Sequence, residues 1–166
     1  MLLTIFRKVM LKKISPKKLS AAGQRFAIVA SKYNARFVDA MLRAARAEMV
    51  RAGGRVDVVR VPGAYEIPVV AARLARSENY AGILCLGVIL RGATTHAQHI
   101  GEAVSSALAQ IQIQHEVPVI HEVLLLENVQ QAKERCLGTK HNRGTEAAQT
   151  AIEMARVMAE IGEGNF

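Results

Sequence analysis

Apolar residues along this chain fall into two alternating patterns, and the alternation predicts the fold. The first pattern is a short, mainly apolar run: FAIVA at 26–30, RVDVVRV at 55–61, AGILCLGVIL at 81–90 and VPVIHEVLLL at 117–126. These have strand length and are rich in Val, Ile and Leu. The second pattern is helical. In FVDAMLRAARAEMVRAGG, Phe37, Met41, Leu42, Ala45 and Met49 share one face, and Gly53 with Gly54 stops the helix. EIPVVAARLARS at 66–77 is a second helix, with Pro68 tolerable only in its first turn. HAQHIGEAVSSALAQIQIQ at 96–114 is a third and longer one, and two more fall near 128–137 and 145–161.

Strands that alternate with helices imply parallel crossovers, so the expected class is α/β: a three-layer α/β/α unit around a four-stranded parallel sheet. No internal repeat or second domain interrupts it. Ligands of such sheets bind beyond the carboxyl ends of the strands. That rule directs attention to SKYNAR at 31–36, VPGAYE at 61–66, LRGATTH at 90–96 and LLLEN at 124–128.

Charge changes the picture less than its total suggests. The net charge is +8, but residues 1–25 hold seven of the 22 basic residues and no acid. From residue 26 on, fifteen basic residues face fourteen acidic ones. The basicity therefore belongs to an N-terminal extension at 1–23, expected to be a flexible solvated segment or an over-long start with Met10 as the true one; the alternatives are a surface-binding amphipathic segment and a targeting peptide. The domain is assigned to 24–166. A nearly neutral body with no Trp, four Phe and three Tyr argues against a nucleic-acid partner. No apolar run approaches the roughly 20 residues that a membrane helix needs. Two cysteines, Cys85 and Cys136, make no disulfide framework, which fits a reducing, cytoplasmic setting.

The candidate chemistry centres on LRGATTHAQHIGEAV at 90–104. His96, His99 and Glu102 recur every three residues, as helix-borne metal ligands do, yet they fan over roughly 120° of helix surface. The reading preferred here is no metal. An Arg-Gly-Ala-Thr-Thr turn before a helix instead offers backbone N–H groups and hydroxyls to an anion, with His96 beside it. Neither a Walker A loop nor G-x-G-x-x-G is present.

VPGAYEIP, LGVILRGATTHAQH, VPVIHEVLLLEN, QAKER and NRGTEAA followed by AIEMA occur in an order and spacing that resembles the lumazine synthase family across residues 24–160. The resemblance implies a flavodoxin-like subunit and an enzyme of riboflavin synthesis, a transferase. It would condense 5-amino-6-(D-ribitylamino)uracil with 3,4-dihydroxy-2-butanone 4-phosphate to 6,7-dimethyl-8-ribityllumazine. No cofactor is implied. The resemblance places Tyr33, Ala64, Tyr65, Glu66, Val88, Ile89, Leu90, His121 and Arg143 around the ribitylaminouracil. It places Ala93, Thr94 and Arg135 around the phosphate. His96 becomes the proton-transfer group and Glu146 an acidic support near it. It also implies small-molecule substrates, sites built between neighbouring subunits, a homo-pentamer or a 60-subunit shell, and riboflavin synthase as a partner. The chain departs from the family at His121, where an aromatic residue is usual, and at Glu122, where a small one is usual; Glu122 is expected to make the surroundings of His121 acidic. Alternatives are an archaeal-type riboflavin synthase of the same fold and a non-catalytic lumazine- or flavin-binding shell protein.

Overall fold

The computed structural model describes residues 19–164, so the expectations for the N-terminal extension at 1–18 lie outside the described residues. The elements follow in the order β1 (Arg25–Ser31), α1 (Ala35–Arg51), β2 (Arg55–Val61), a 3₁₀ turn (Ala64–Glu66), α2 (Ile67–Arg76), β3 (Gly82–Leu90), α3 (His96–His115), β4 (Val119–Leu126), α4 (Val129–Cys136) and α5 (Arg143–Gly162). The four strands form one sheet in the order β2-β1-β3-β4, and every pairing is parallel. This is the three-layer α/β unit that the alternation predicts.

Side chains alternate across the sheet and divide the core in two. Phe26, Ile28, Ala30, Leu84 and Leu86 pack under α1, α4 and α5. Ala27, Val29, Ile83 and Cys85 pack under α2 and α3. β3 lies between two neighbours, and residues 82–89 are all buried, as its apolar run requires. Burial also pushes the Cys85 thiol far above its usual range and the Cys136 thiol up to about 11, which leaves both inert.

Local chemistry sets the element ends. α1 stops in a paired cap: the Gly54 N–H donates to the Met49 carbonyl and the Gly53 N–H to the Val50 carbonyl, with Gly53 at a φ of 90°. Pro68 sits in the first turn of α2. The Asn128 side chain accepts from the Gln131 N–H to open α4. Asn142, itself buried, accepts from the Gly144 N–H and donates to the Cys136 carbonyl, tying the end of α4 to the start of α5.

Candidate active site

The strand order reverses direction between β1 and β3, and a crevice opens beyond their carboxyl ends, where α/β sheets place ligands. The cavity there measures about 960 Å³, within the range typical of small-molecule sites. Tyr33 and Asn34 reach it from the loop after β1, Gly63, Ala64, Tyr65 and Glu66 from the turn after β2, and Val88, Ile89 and Leu90 from the end of β3. His96, His99, Ile100 and Ala103 form the α3 wall.

Each loop is held by a specific contact. Asn34 adopts a left-handed conformation at φ 56°, and its side-chain amide donates to the Val88 carbonyl at 2.7 Å. That bond fixes the loop carrying Tyr33 against the end of β3 and occupies one lone pair of the Val88 carbonyl. The Gly63 N–H donates to Glu66 Oε2 at 2.9 Å, leaving the other carboxylate oxygen for a ligand. Any side chain at 63 would press on the Tyr33 ring and on Glu66, since a Cβ there would stand 2.9 Å from both. Tyr33 and Tyr65 are 70% and 63% exposed, so two aromatic surfaces face the cavity without core packing of their own. Ala93 and Thr94 form the exposed turn before α3, where Thr94 Oγ1 lies 3.4 Å from the His96 N–H.

His99 lines the cavity beside His96, one turn away on α3. The three-residue spacing signals this, although the residue is absent from the expected site. Glu102 does not join the two histidines; it accepts from Gln98 at 2.8 Å. Among the described residues, no three His, Cys, Asp or Glu side chains converge as a metal site would need.

Of the expected residues, Ala93, Thr94, His121, Arg135, Arg143 and Glu146 do not line this cavity. Arg143 opens α5 and donates from Nε to Glu122 Oε1 at 2.8 Å and from Nη1 to Glu146 Oε2 at 3.0 Å. Arg135, in the last turn of α4, is exposed and makes no salt bridge among the described residues, though its charge acts on Glu122. This cluster lies on the sheet face under α4 and α5, with the sheet between it and the α3 wall. His121 points to the other face of β4, where its Nε2 lies 2.8 Å from Ser105 Oγ on α3. Adjacent residues of a strand face opposite sides, so Glu122 does not create the acidic setting expected around His121.

Burial pushes the Glu122 carboxyl above its ordinary value of 4.5, against the pull of Arg143 and Arg135. The native protein therefore holds that proton to a higher pH than the unfolded chain. Its contribution to stability is full below about 4.5 and is lost as pH rises through the native value. Denaturant unfolding across a pH series should show this descending limb in the parent and its loss in Glu122→Gln. Parallel curves for the two proteins would contradict it.

The fold and the cavity define an α/β enzyme subunit with an aromatic and histidine-lined crevice at the strand ends. A family profile described as 6,7-dimethyl-8-ribityllumazine synthase matches residues 23–159. Proteins named 6,7-dimethyl-8-ribityllumazine synthase are similar to the chain. That of Aquifex aeolicus is 44% identical over 148 residues, 87% of this chain and 96% of its own length. That of Desulfotalea psychrophila is 44% identical over 144 residues, 84% of this chain and 92% of its own. That of Stenotrophomonas maltophilia strain K279a is 41% identical over 140 residues, 82% and 90% respectively. The chain belongs to the 6,7-dimethyl-8-ribityllumazine synthase family.

Proposed function

We propose that this protein is a transferase that condenses 5-amino-6-(D-ribitylamino)uracil with 3,4-dihydroxy-2-butanone 4-phosphate to 6,7-dimethyl-8-ribityllumazine, releasing water and phosphate, in riboflavin biosynthesis. The observation that carries this reading is the crevice that gathers Tyr33, Tyr65, Glu66, the end of β3 and His96 at the switch point of the sheet. A flat heteroaromatic with a polyol chain fits a slot with two aromatic faces, a carboxylate oxygen and free strand-end backbone. In the proposed path the amine adds to the ketone, an imine forms, phosphate leaves and the ring closes. Ala93 and Thr94 cradle the phosphate at the N-terminal end of α3, where backbone N–H groups favour anions. His96, the first residue of that helix, moves protons between the reacting groups.

Arg135, Arg143 and Glu146 belong to the same site only if it is completed between copies. The sheet separates them from the cavity within one chain, which supports a site built by two neighbouring subunits. We therefore read the working form as a homo-pentamer at least, with a 60-subunit shell compatible with the short 137–142 link. His121, exposed on the edge strand β4, would then meet the uracil of the adjacent site. A cytoplasmic location and a riboflavin synthase partner follow from the same reading.

Incubation with both substrates tests the reading directly. The fluorescence of the lumazine should appear with both and with neither alone. His96→Ala is expected to lower kcat by about tenfold to a hundredfold, the lower part of the range for acid–base groups, with little change in either apparent affinity. The drop is limited because positioning of an already nucleophilic amine does much of the work. Mixed assemblies of His96→Ala and Arg135→Ala chains should recover part of the activity that each lacks, since some sites then hold both intact residues. No recovery would place both residues in a site made by one chain.

A further inference from the structure

Glu122 is the buried charged side chain among the described residues, at 5% exposure, and family resemblance gives it no role. A carboxylate withdrawn from water in this way needs a partner, and it has one in Arg143. The geometry of that pair bears on which substrate group the cluster accepts. Glu122 engages Nε of the guanidinium and Glu146 engages Nη1, so the arginine is held between two carboxylates. Two of its five N–H groups are used, and three remain available on a side chain that is 34% exposed. The two carboxylates together outweigh the one guanidinium. Arg135 has no salt-bridge partner among the described residues, and Glu122 acts on it only through space.

An anion is attracted by uncompensated positive charge, whereas a polyol needs donors and is indifferent to charge. Arg143 keeps its donors and loses its net attraction for anions. Arg135 retains that attraction. We propose that Glu122 is a specificity-determining residue: by neutralising Arg143 from inside the fold, it reserves Arg143 for neutral hydroxyls of the ribityl chain and leaves the phosphate to Arg135. The inference rests on the reading that both arginines face substrate. The groups that face Glu122 are Arg143 and Glu146 on α5 and Arg135 and the inert thiol of Cys136 on α4.

Glu122→Gln tests it. The amide has the same shape and its oxygen still accepts from Arg143 Nε, but one negative charge is gone. Inorganic phosphate is the probe, measured as an inhibitor against each substrate in the assembled enzyme at one pH. In the parent it should compete with the butanone phosphate and not with the ribitylaminouracil. In Glu122→Gln it should bind about 3- to 10-fold tighter, the effect of one unit charge several ångströms away in a watery site, and should compete with the uracil as well. kcat at saturating substrates should change less than these affinities. Glu146→Gln, which removes a charge from the solvent side of the same guanidinium, should shift phosphate in the same direction and serves if Glu122→Gln does not fold. Unchanged phosphate inhibition in the folded variant overturns the proposal. Arg143→Ala separates the two readings. If it leaves the apparent affinity for the uracil intact, Arg143 is not at the site and the functional reading of that residue falls with the proposal. If it weakens the uracil while Glu122→Gln leaves phosphate unmoved, the role of Glu122 alone is refuted.

Discussion

Gly144→Ala is expected to lower the melting temperature by roughly 10 °C or to abolish soluble protein. A Cβ at residue 144 would stand 2.1 Å from the Met41 carbonyl oxygen and 2.7 Å from two further backbone atoms of Met41. Backbone cannot rotate aside as a side-chain tip does, so α5 must move away from α1. The buried face of α5 explains why the helices are this close: Gly144, Ala147, Ala148, Ala151 and Ala155 present small residues along the contact. Overpacking a core costs about 1–3 kcal/mol where side chains can adjust, and the upper end applies here. For a chain of this size each kcal/mol is worth about 2–4 °C. The displacement would also carry Arg143 and Glu146, so residual activity should fall with stability. Gly162→Ala is the control: it lies near the end of the same helix with nothing within 4 Å of its added Cβ, and helix propensity predicts neutrality or a slight gain. Equal melting temperatures for Gly144→Ala and the parent would refute the close helix approach.

That glycine marks where local pattern stops being informative. Strands and helices were legible because burial imposes periodicity: the β3 run is apolar on both faces because helices cover both faces of the sheet there, and the α1 stripe matches the buried Phe37, Met41, Ala45 and Met49. Pro68 and Gly53 act through their own backbone and Asn128 through a side chain that reaches only three residues ahead, so their positions at helix ends were also readable. Contacts between distant segments were not. Glu122 and Arg143 are 21 residues apart, Asn34 and Val88 54 apart, and His121 meets Ser105 across 16. A glycine early in an otherwise regular α5 pattern was a signal that packing required it. Strand alternation is a second signal, and it runs against the acidic setting expected around His121: neighbouring residues of β4 face opposite sides of the sheet. The cavity residues were legible as a group because strand ends in this topology converge. The separation of Arg135, Arg143 and Glu146 from them follows from which face of the sheet α4 and α5 cover, and that is a property of packing.

Arg135→Ala is expected to weaken apparent affinity for the butanone phosphate by about one to two decades while changing that for the uracil little. The range is that of a charged hydrogen bond to a ligand. Arg135 differs from Arg143 in what each holds. Arg143 holds a buried carboxylate in place, so its removal leaves Glu122 without its partner and should destabilise the fold as well as disturb the site. Arg135 is exposed and bears no structural pair among the described residues, so its removal should leave the melting temperature unchanged. Stability and affinity thereby separate the two arginines. Arg135→Lys retains charge without the planar two-pronged geometry and should restore only part of the loss. Added salt should weaken the butanone phosphate in the parent more than in Arg135→Ala, because screening acts on the charge that the variant lacks. Steady-state titration of each substrate at saturating levels of the other measures all three effects. A loss shared equally by both substrates, or a lowered melting temperature, would assign Arg135 to the architecture of α4 and leave the phosphate to the turn at Ala93 and Thr94.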